Sequence, residues 1–351
     1  MSTIPTGKVD KPQPELEPLT QPTPIDALGL RSIPTELHFR RRHFDLPSRL
    51  ASHDLVLEGV REVRVSPDEL RSHPSRRTLP VVLECAGHRR AELRPPTAGV
   101  PWGVGAVAEA RWTGVPLGAL LREAGIQPGA CAVSFQGRDR GSHFSSELRV
   151  PFARAIPLAK ALDEDTLIAW EMNGEPIPEL HGGPIRAIVP GYYAVDSVKW
   201  LERVTVLSSE FRGPFQQFDY RLFADAEGEG EGEELHALPV HSLISPPDES
   251  AAIAPGVHEV AGIAWGGSGG VERVDVRIDD GDWHEAELER PSDWGRVFWR
   301  YRWDAGRGPH VIAVRATDAA GTSQPDEPRW NRLGYSNNSI QRRAVHVGRP
   351  A

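Results

Sequence analysis

Apolar and polar positions alternate in short runs along most of this chain, and few stretches keep a helical period. Leu79-Pro80-Val81-Val82-Leu83 is continuously apolar, as a buried strand is. Pro80 has no N–H for a ladder, so it belongs at the start of that strand or on an open edge. The run ends at Glu84-Cys85-Ala86-Gly87, where a turn is expected. A helix is predicted over 116–124: Leu117, Leu120, Leu121 and Ala124 share one face, Pro116 opens it and Gly125 closes it. Residues 188–191 and 204–207 are further strand candidates. Later in the chain Val274, Val276 and Ile278 alternate with polar residues and run into an Asp280-Gly281 turn. Trp299, Tyr301 and Trp303 alternate with Arg300 and Arg302, and Ile312, Val314 and Ala316 repeat the period.

The pattern predicts an α+β chain, a mixed α/β unit followed by an all-β unit. Short strands with frequent turns in the second unit suggest an immunoglobulin-like sandwich. Residues 1–30 carry recurrent proline and no period, so an N-terminal arm is expected, with ordered structure from about Thr35. Residues 224–235 are acidic and glycine-rich, which reads as a linker or exposed loop. The expected division is an arm over 1–30, a first unit over 31–235 and a second over 236–351.

Composition narrows the partners. Apolar residues at 39% and charged residues at 25% suit a soluble globular protein. A net charge of −9 argues against binding nucleic acid or anionic lipid, yet leaves room for a locally positive pocket. Cys85 and Cys131 are too few for a disulfide framework or a thiolate zinc site; a single bridge between them stays open. No apolar run approaches the roughly 18 residues that span a bilayer. The first residues lack the apolar core of a signal peptide, so a cytoplasmic protein is the default expectation, or a periplasmic one if an export signal has been removed.

Candidate chemistry gathers at Glu84-Cys85-Ala86-Gly87-His88-Arg89-Arg90. A cysteine at a strand end beside two arginines is either a small buried residue near solvated charges or a thiolate with a lowered pKa, able to act as a nucleophile or a soft metal ligand. Phe39-Arg40-Arg41-Arg42-His43 is either a solvated charge run or, if extended, a segment that turns one arginine into a pocket and leaves its neighbours outside. His181-Gly182-Gly183-Pro184-Ile185-Arg186 and Ser197-Val198-Lys199-Trp200 are either locally paired loops or holders of a phosphate or small oxyanion. Gly266-Gly267-Ser268-Gly269-Gly270 fits the Gly-x-Ser-x-Gly nucleophile elbow of hydrolases, but it lies between strand candidates with no helix pattern after it, and a hairpin loop is the expectation.

These segments resemble, in order and wording, the sulfite oxidase family. Cys85-Ala86-Gly87-His88-Arg89-Arg90 is similar to the family's Cys-Ala-Gly-Asn-Arg-Arg. Trp102, Arg111-Trp112-Thr113-Gly114-Val115, Glu171-Met172-Asn173-Gly174-Glu175-Pro176, His181 through Arg186 and Val189-Pro190-Gly191 through Leu201 continue the likeness. The resemblance implies a molybdenum–molybdopterin cofactor with Cys85 as the metal's thiolate ligand. Phe39, Arg41, Arg42, His43, Asp139, His181, Arg186, Ser197, Val198 and Lys199 match the segments that hold the pterin and its phosphate. Arg41, Arg90 and Trp102 match substrate-pocket positions, and Tyr220 matches the tyrosine near the metal's oxo group; its other reading is a tyrosine packed at a strand end. A symmetric homodimer through the second unit is implied, as is oxygen-atom transfer to a small oxyanion such as sulfite. No haem segment or Cys-x-x-Cys-His is present in the sequence, so a separate electron acceptor, a cytochrome or a diffusible oxidant, is expected.

The sequence departs from that family at His88, where asparagine is usual, at Ala98, often lysine, and at Gly183, usually bulkier. In Trp330-Asn331-Arg332-Leu333-Gly334 the arginine stands one place early, and one residue of offset can turn a side chain to the other face. Arg332 is therefore a pocket candidate whose reach is in question, and weaker sulfite affinity or another oxyanion or oxide is expected. Two further readings stay open: a molybdenum reductase of nitrate or of an S- or N-oxide, and a cofactor-binding or interaction protein without turnover.

Overall fold

A computed structural model describes residues 20–47, 53–223, 232–245, 253–267 and 269–348. Strand dominates, and the longest helix among the described residues is Leu117–Ala124. That helix forms where the period placed it: Leu117, Leu120, Leu121 and Ala124 are buried, Pro116 precedes it and Gly125 closes it at φ 81°.

The first unit holds two five-stranded sheets. One runs Glu175–Pro176, Leu167–Met172, Val107–Pro116 and Arg77–Glu84, with Arg186–Ile188 also paired to Leu167–Met172. Arg77–Glu84 is an edge strand, which is how Pro80 is tolerated within it. The other sheet orders Glu62–Val65, Leu55–Glu58, Leu201–Leu207, Ala132–His143 and Ser146–Pro157, and only the Leu55–Glu58 pairing with Leu201–Leu207 is parallel. The apolar run at 188–191 supplies just the end of Arg186–Ile188. It turns at Pro190, which has no N–H, and at Gly191, whose φ is 76°.

The second unit is two four-stranded antiparallel sheets closed around one core, with Val274, Val276, Trp299, Trp303, Ile312, Val314 and Ala316 facing inward. Ser268 lies outside the described residues. Its segment joins Gly256–Trp265 of one sheet to Val271–Ile278 of the other, so it is a link between sheets and not the hairpin expected; a strand follows it, where a nucleophile elbow needs a helix.

Two expectations about order are corrected. Structure begins by Thr20, not near Thr35: Thr20–Gln21 pairs with Arg40–Arg41, and the helix Ile25–Leu28 buries Ala27 and Leu28. Arg296, fully buried in the second unit, fixes this stretch by donating to the carbonyls of Leu28 and Leu30. Of the acidic segment 224–235, residues 224–231 lie outside the described residues, but Glu233–Glu234 forms a strand paired with Arg221–Leu222. Low-complexity composition missed the partners of Glu234, which accepts from Gln216 at 3.0 Å and Arg221 at 3.3 Å and lies 3.1 Å from His236 Nε2.

Through His236, Glu234 joins a buried network. Arg154 pairs with Asp196 at 2.8 Å, both wholly buried, and donates to the carbonyls of Phe215 and Leu235. His236 bridges Asp196 at 2.9 Å and Glu234 at 3.1 Å. The bond to His236, with help from Gln216, holds the Glu234 carboxyl down at about 2. Burial works against protonation of His236, but the Asp196 charge and the two carboxylate bonds win and push it up to about 9. Glu234 therefore adds stability above its unfolded value of 4.5 that is lost as pH falls through 2, and His236 adds stability below 6.5 that is lost as pH rises through 9. Melting temperature should plateau between those unfolded values, and His236→Gln should lower it most on the plateau, with the gap closing toward alkaline pH. A pH-independent gap in calorimetric scans would rule out this assignment.

Candidate active site

Cys85 follows the edge strand Arg77–Glu84, and its N–H continues the ladder by donating to the Ala106 carbonyl at 2.9 Å. The chain then turns, with His88 N–H on the Cys85 carbonyl at 2.8 Å and Arg90 N–H on that of Gly87 at 3.0 Å. The cysteine looks into a cavity whose walls come from residues 38–43, from Leu180, His181 and Arg186, and from residues between 194 and 200, together with Asp139, Phe152 and Tyr220. All the expected cofactor positions border it: Phe39, Arg41, Arg42, His43, Cys85, Asp139, His181, Arg186, Ser197, Val198 and Lys199.

Each wall has a local cause. Arg186 reaches back from its strand to the carbonyls of His181 at 2.6 Å and Ser197 at 2.7 Å, tying two loops together. Gly183 admits no side chain, since a Cβ would come within 1.9 Å of the Ile177 carbonyl, which accounts for one departure from the family pattern. Lys199 donates to the Arg41 carbonyl at 2.6 Å, joining the third wall to the first.

The cavity is rich in cations. Arg40, Arg41, Arg42, Arg186 and Lys199 border it against the single carboxylate of Asp139. All three consecutive arginines reach it, so the expectation that alternation would leave some outside is corrected; the extended part is only Arg40–Arg41. Burial, reinforced by Arg186, Arg41 and Arg42, lowers Lys199 to about 7, and burial alone lowers Arg186 to about 9. Burial and neighbouring cations bring His38 down to about 4 and His181 to about 3, so both imidazoles are neutral at physiological pH. Burial raises Asp139 to about 6. His38 was not anticipated; it meets His181 edge-on at 6.0 Å, and its only sequence signal was adjacency to the basic run.

The Cys85 thiol also differs from expectation. Arg90 and Arg41 favour the thiolate, but burial outweighs them and pushes the pKa up. The arginines are close enough to bias the sulfur and too few to offset its desolvation; a bound metal cation would supply the missing charge.

Tyr220 closes the cavity with its hydroxyl 2.7 Å from His43 Nε2. His43 stacks on Phe152 at 4.9 Å, and burial holds it well below its usual pKa, hence neutral. Three expected pocket residues do not border the cavity. Trp102 is buried against Phe39, edge-on at 6.4 Å. Arg90 is spent on the carbonyls of Gly334 and Val100. The guanidinium of Arg332 lies 3.9 Å from the centroid of Phe223. His88 faces the other way, edge-on to His241 and Trp265 of the second unit.

The donor set suits a phosphate-bearing group with a soft metal. His38 Nε2 and Arg40 Nε are buried with no partner among the described residues, as is the acceptor Asp139 Oδ1, and all three residues border the cavity. Residues 43–215 match the family model for the oxidoreductase molybdopterin binding domain, and residues 233–348 match that for the Mo-co oxidoreductase dimerisation domain. Sulfite oxidase of Gallus gallus is 34% identical over 352 residues, covering 93% of this chain and 76% of that protein. The chain belongs to the sulfite oxidase family. Mitochondrial sulfite oxidase of Mus musculus is 34% identical over 340 residues, and the match spans 90% of this chain but 61% of the mouse protein. The sulfane dehydrogenase SoxCD of Paracoccus pantotrophus has a similar structure, with a TM-score of 0.79, 25% identity and coverage of 95% of this chain and 88% of that one. No helix among the described residues is long and apolar enough to cross a membrane.

An anion entering the cavity should favour protonated Lys199. Sulfate binding to cofactor-free protein, followed by calorimetry, should weaken as pH rises through 7, by up to about tenfold per pH unit. Lys199→Arg should flatten the profile; an unchanged slope would remove Lys199 from the anion site.

Proposed function

We propose that this chain is a molybdenum–molybdopterin oxidoreductase that transfers an oxygen atom, with sulfite to sulfate as the leading reaction and a separate protein or diffusible oxidant taking the electrons. The observation that supports it is the meeting of Cys85, Arg41 and Tyr220 at one cavity that Arg40, Arg42, Arg186 and Lys199 also line. The reading includes a homodimer through residues 236–351, folded as an immunoglobulin-like sandwich.

When bound, the cofactor supplies oxygen-atom transfer and two-electron redox chemistry. The protein's part is to hold and to bias. Cys85 Sγ is the metal ligand, and loss of its proton is coupled to metal binding because burial keeps the free thiol protonated. Arg40, Arg42, Arg186 and Lys199 hold the pterin's phosphate, with Arg186 doing so indirectly by fixing the His181 and Ser197 carbonyls. Arg41 draws the anionic substrate in and offers donors to its oxygens. In the tautomer with His43 Nε2 protonated, Tyr220 Oη accepts from the ring, and the phenol proton is free for a substrate oxygen.

Purified holoprotein should contain molybdenum and molybdopterin and reduce an artificial acceptor with sulfite. Cys85→Ser should abolish turnover, and Arg41→Met should lower kcat/KM by about a hundredfold, on the scale of losing one preorganised donor to an oxyanion. Full turnover in Cys85→Ser would end the assignment.

The positions of Arg332 against Phe223 and of Arg90 on the Gly334 and Val100 carbonyls favour a second reading of the substrate, since two fewer guanidiniums are left for sulfite. The sulfite KM is expected above the micromolar range, and a less charged sulfur compound or an oxide should compete with it. Steady-state assays in both directions decide this: a micromolar KM for sulfite rejects the second reading, and faster reduction of nitrate or an S-oxide replaces the first.

A further inference from the structure

An aromatic side chain of the second unit meets Tyr220. Tyr335 lies between the strands Gly308–Asp318 and Gln341–Val347, and its ring stacks on that of Tyr220 with centroids 5.1 Å apart and planes 9° from parallel. The Arg90 guanidinium sits 5.1 Å from the Tyr335 centroid, so a residue of the Cys85 turn, a residue of the second unit and the cavity tyrosine form one pile.

The pile is built deliberately by its surroundings. Asn331 grips the Tyr335 main chain at both ends, donating to its carbonyl at 2.7 Å and accepting from its N–H at 3.1 Å. The same loop is fastened to the Cys85 turn: Ser336 N–H donates to the Ala86 carbonyl at 2.9 Å, Asn337 Nδ2 to that of Arg89 at 3.1 Å, and Arg90 Nε to that of Gly334 at 3.1 Å. A Cβ on Gly87 or Gly334 would meet the Arg90 side chain at 2.8 Å, so both glycines are required for the guanidinium to lie there.

Tyr220 needs such support. Its φ of 52° is in the left-handed region, unfavourable for a bulky residue, and on its main chain the Leu235 N–H holds the carbonyl at 2.9 Å. Offset stacking restricts rotation of a ring, and with Oη fixed on His43 the phenol has one orientation.

We propose that Tyr335 is a positioning residue for Tyr220, by which the β-sandwich unit sets the geometry of the active site. This rests on reading Tyr220 as the group that meets the substrate. Tyr335 acts through its neighbour and holds neither the substrate nor the cofactor.

The test uses holoprotein variants with matched molybdenum content. Tyr335→Leu should lower kcat about tenfold with little change in KM, and Tyr335→Phe, which keeps the ring, should recover most of it. Adding Tyr335→Leu to Tyr220→Phe should cost nothing further, because the positioned group is already gone. An unchanged kcat in Tyr335→Leu, or a full multiplicative loss in the double variant, overturns the proposal. A second readout needs no turnover: the five tyrosines are replaced by 3-fluorotyrosine, and the Tyr220 signal is assigned by its disappearance in Tyr220→Phe. In cofactor-free protein Tyr335→Leu should shift and broaden that fluorine resonance while Tyr335→Phe leaves it nearly in place; an unmoved resonance in Tyr335→Leu also overturns the proposal. If the resonance moves but wild-type protein turns over no substrate, the functional reading fails and the positioning role stands.

Discussion

Five cationic side chains converge on one cavity and share a single carboxylate, Asp139, as counter-charge. Burial, with repulsion between like charges added to it, opposes protonation there, and the cost is visible in the lowered pKa of Lys199 and the neutral state of His38 and His181. Such an arrangement persists because the surrounding scaffold over-determines it: Arg186 and Lys199 are tied to main-chain carbonyls, which neutralise part of their charge with dipoles. An anion entering the cavity would complete the electrostatic balance. The same constraint explains why an acidic protein can serve anionic ligands, since the positive field is local and enclosed.

The two units are less separate than their sheets suggest. Arg296 of the second unit fixes the N-terminal stretch by its carbonyls, and that stretch pairs through Thr20–Gln21 with the strand carrying Arg40 and Arg41. Trp265 donates to Glu84 at 2.6 Å, next to the cysteine, and stacks on His241 at 5.1 Å. The loop bearing Tyr335 is bonded to the Cys85 turn at three points. Buried apolar residues of both units also belong to one cluster, in which Leu243, Ile263 and Trp265 join the core of the first unit. The cavity is thus braced by the β-sandwich, and changes there can reach the site through packing.

Much of the site was legible because its parts are local. A strand that ends at a cysteine, a turn with two arginines and glycine-bearing loops are short-range features, and their resemblance to a known family gave each a role. The expected helix and strands follow from periods of 3.6 and 2 that burial imposes on any chain. The errors share another character. Residues 20–30 looked like an arm because their partner, Arg296, is more than 260 positions away, and the acidic segment looked like a linker because Arg154, which holds the Leu235 carbonyl, is 81 positions away.

The sequence by itself determined the family, the order of the motif-bearing segments, that Pro80 stands at a strand start or on an edge, and the all-strand character of the second unit. Tertiary structure alone decided which cations face the cavity, that Arg332 packs on Phe223, that burial outweighs two arginines at Cys85, and that Tyr335 stacks on Tyr220. The reason is physical: periodicity and motifs encode what a residue needs from its immediate neighbours, whereas desolvation and side-chain stacking depend on which distant atoms exclude water from the same place.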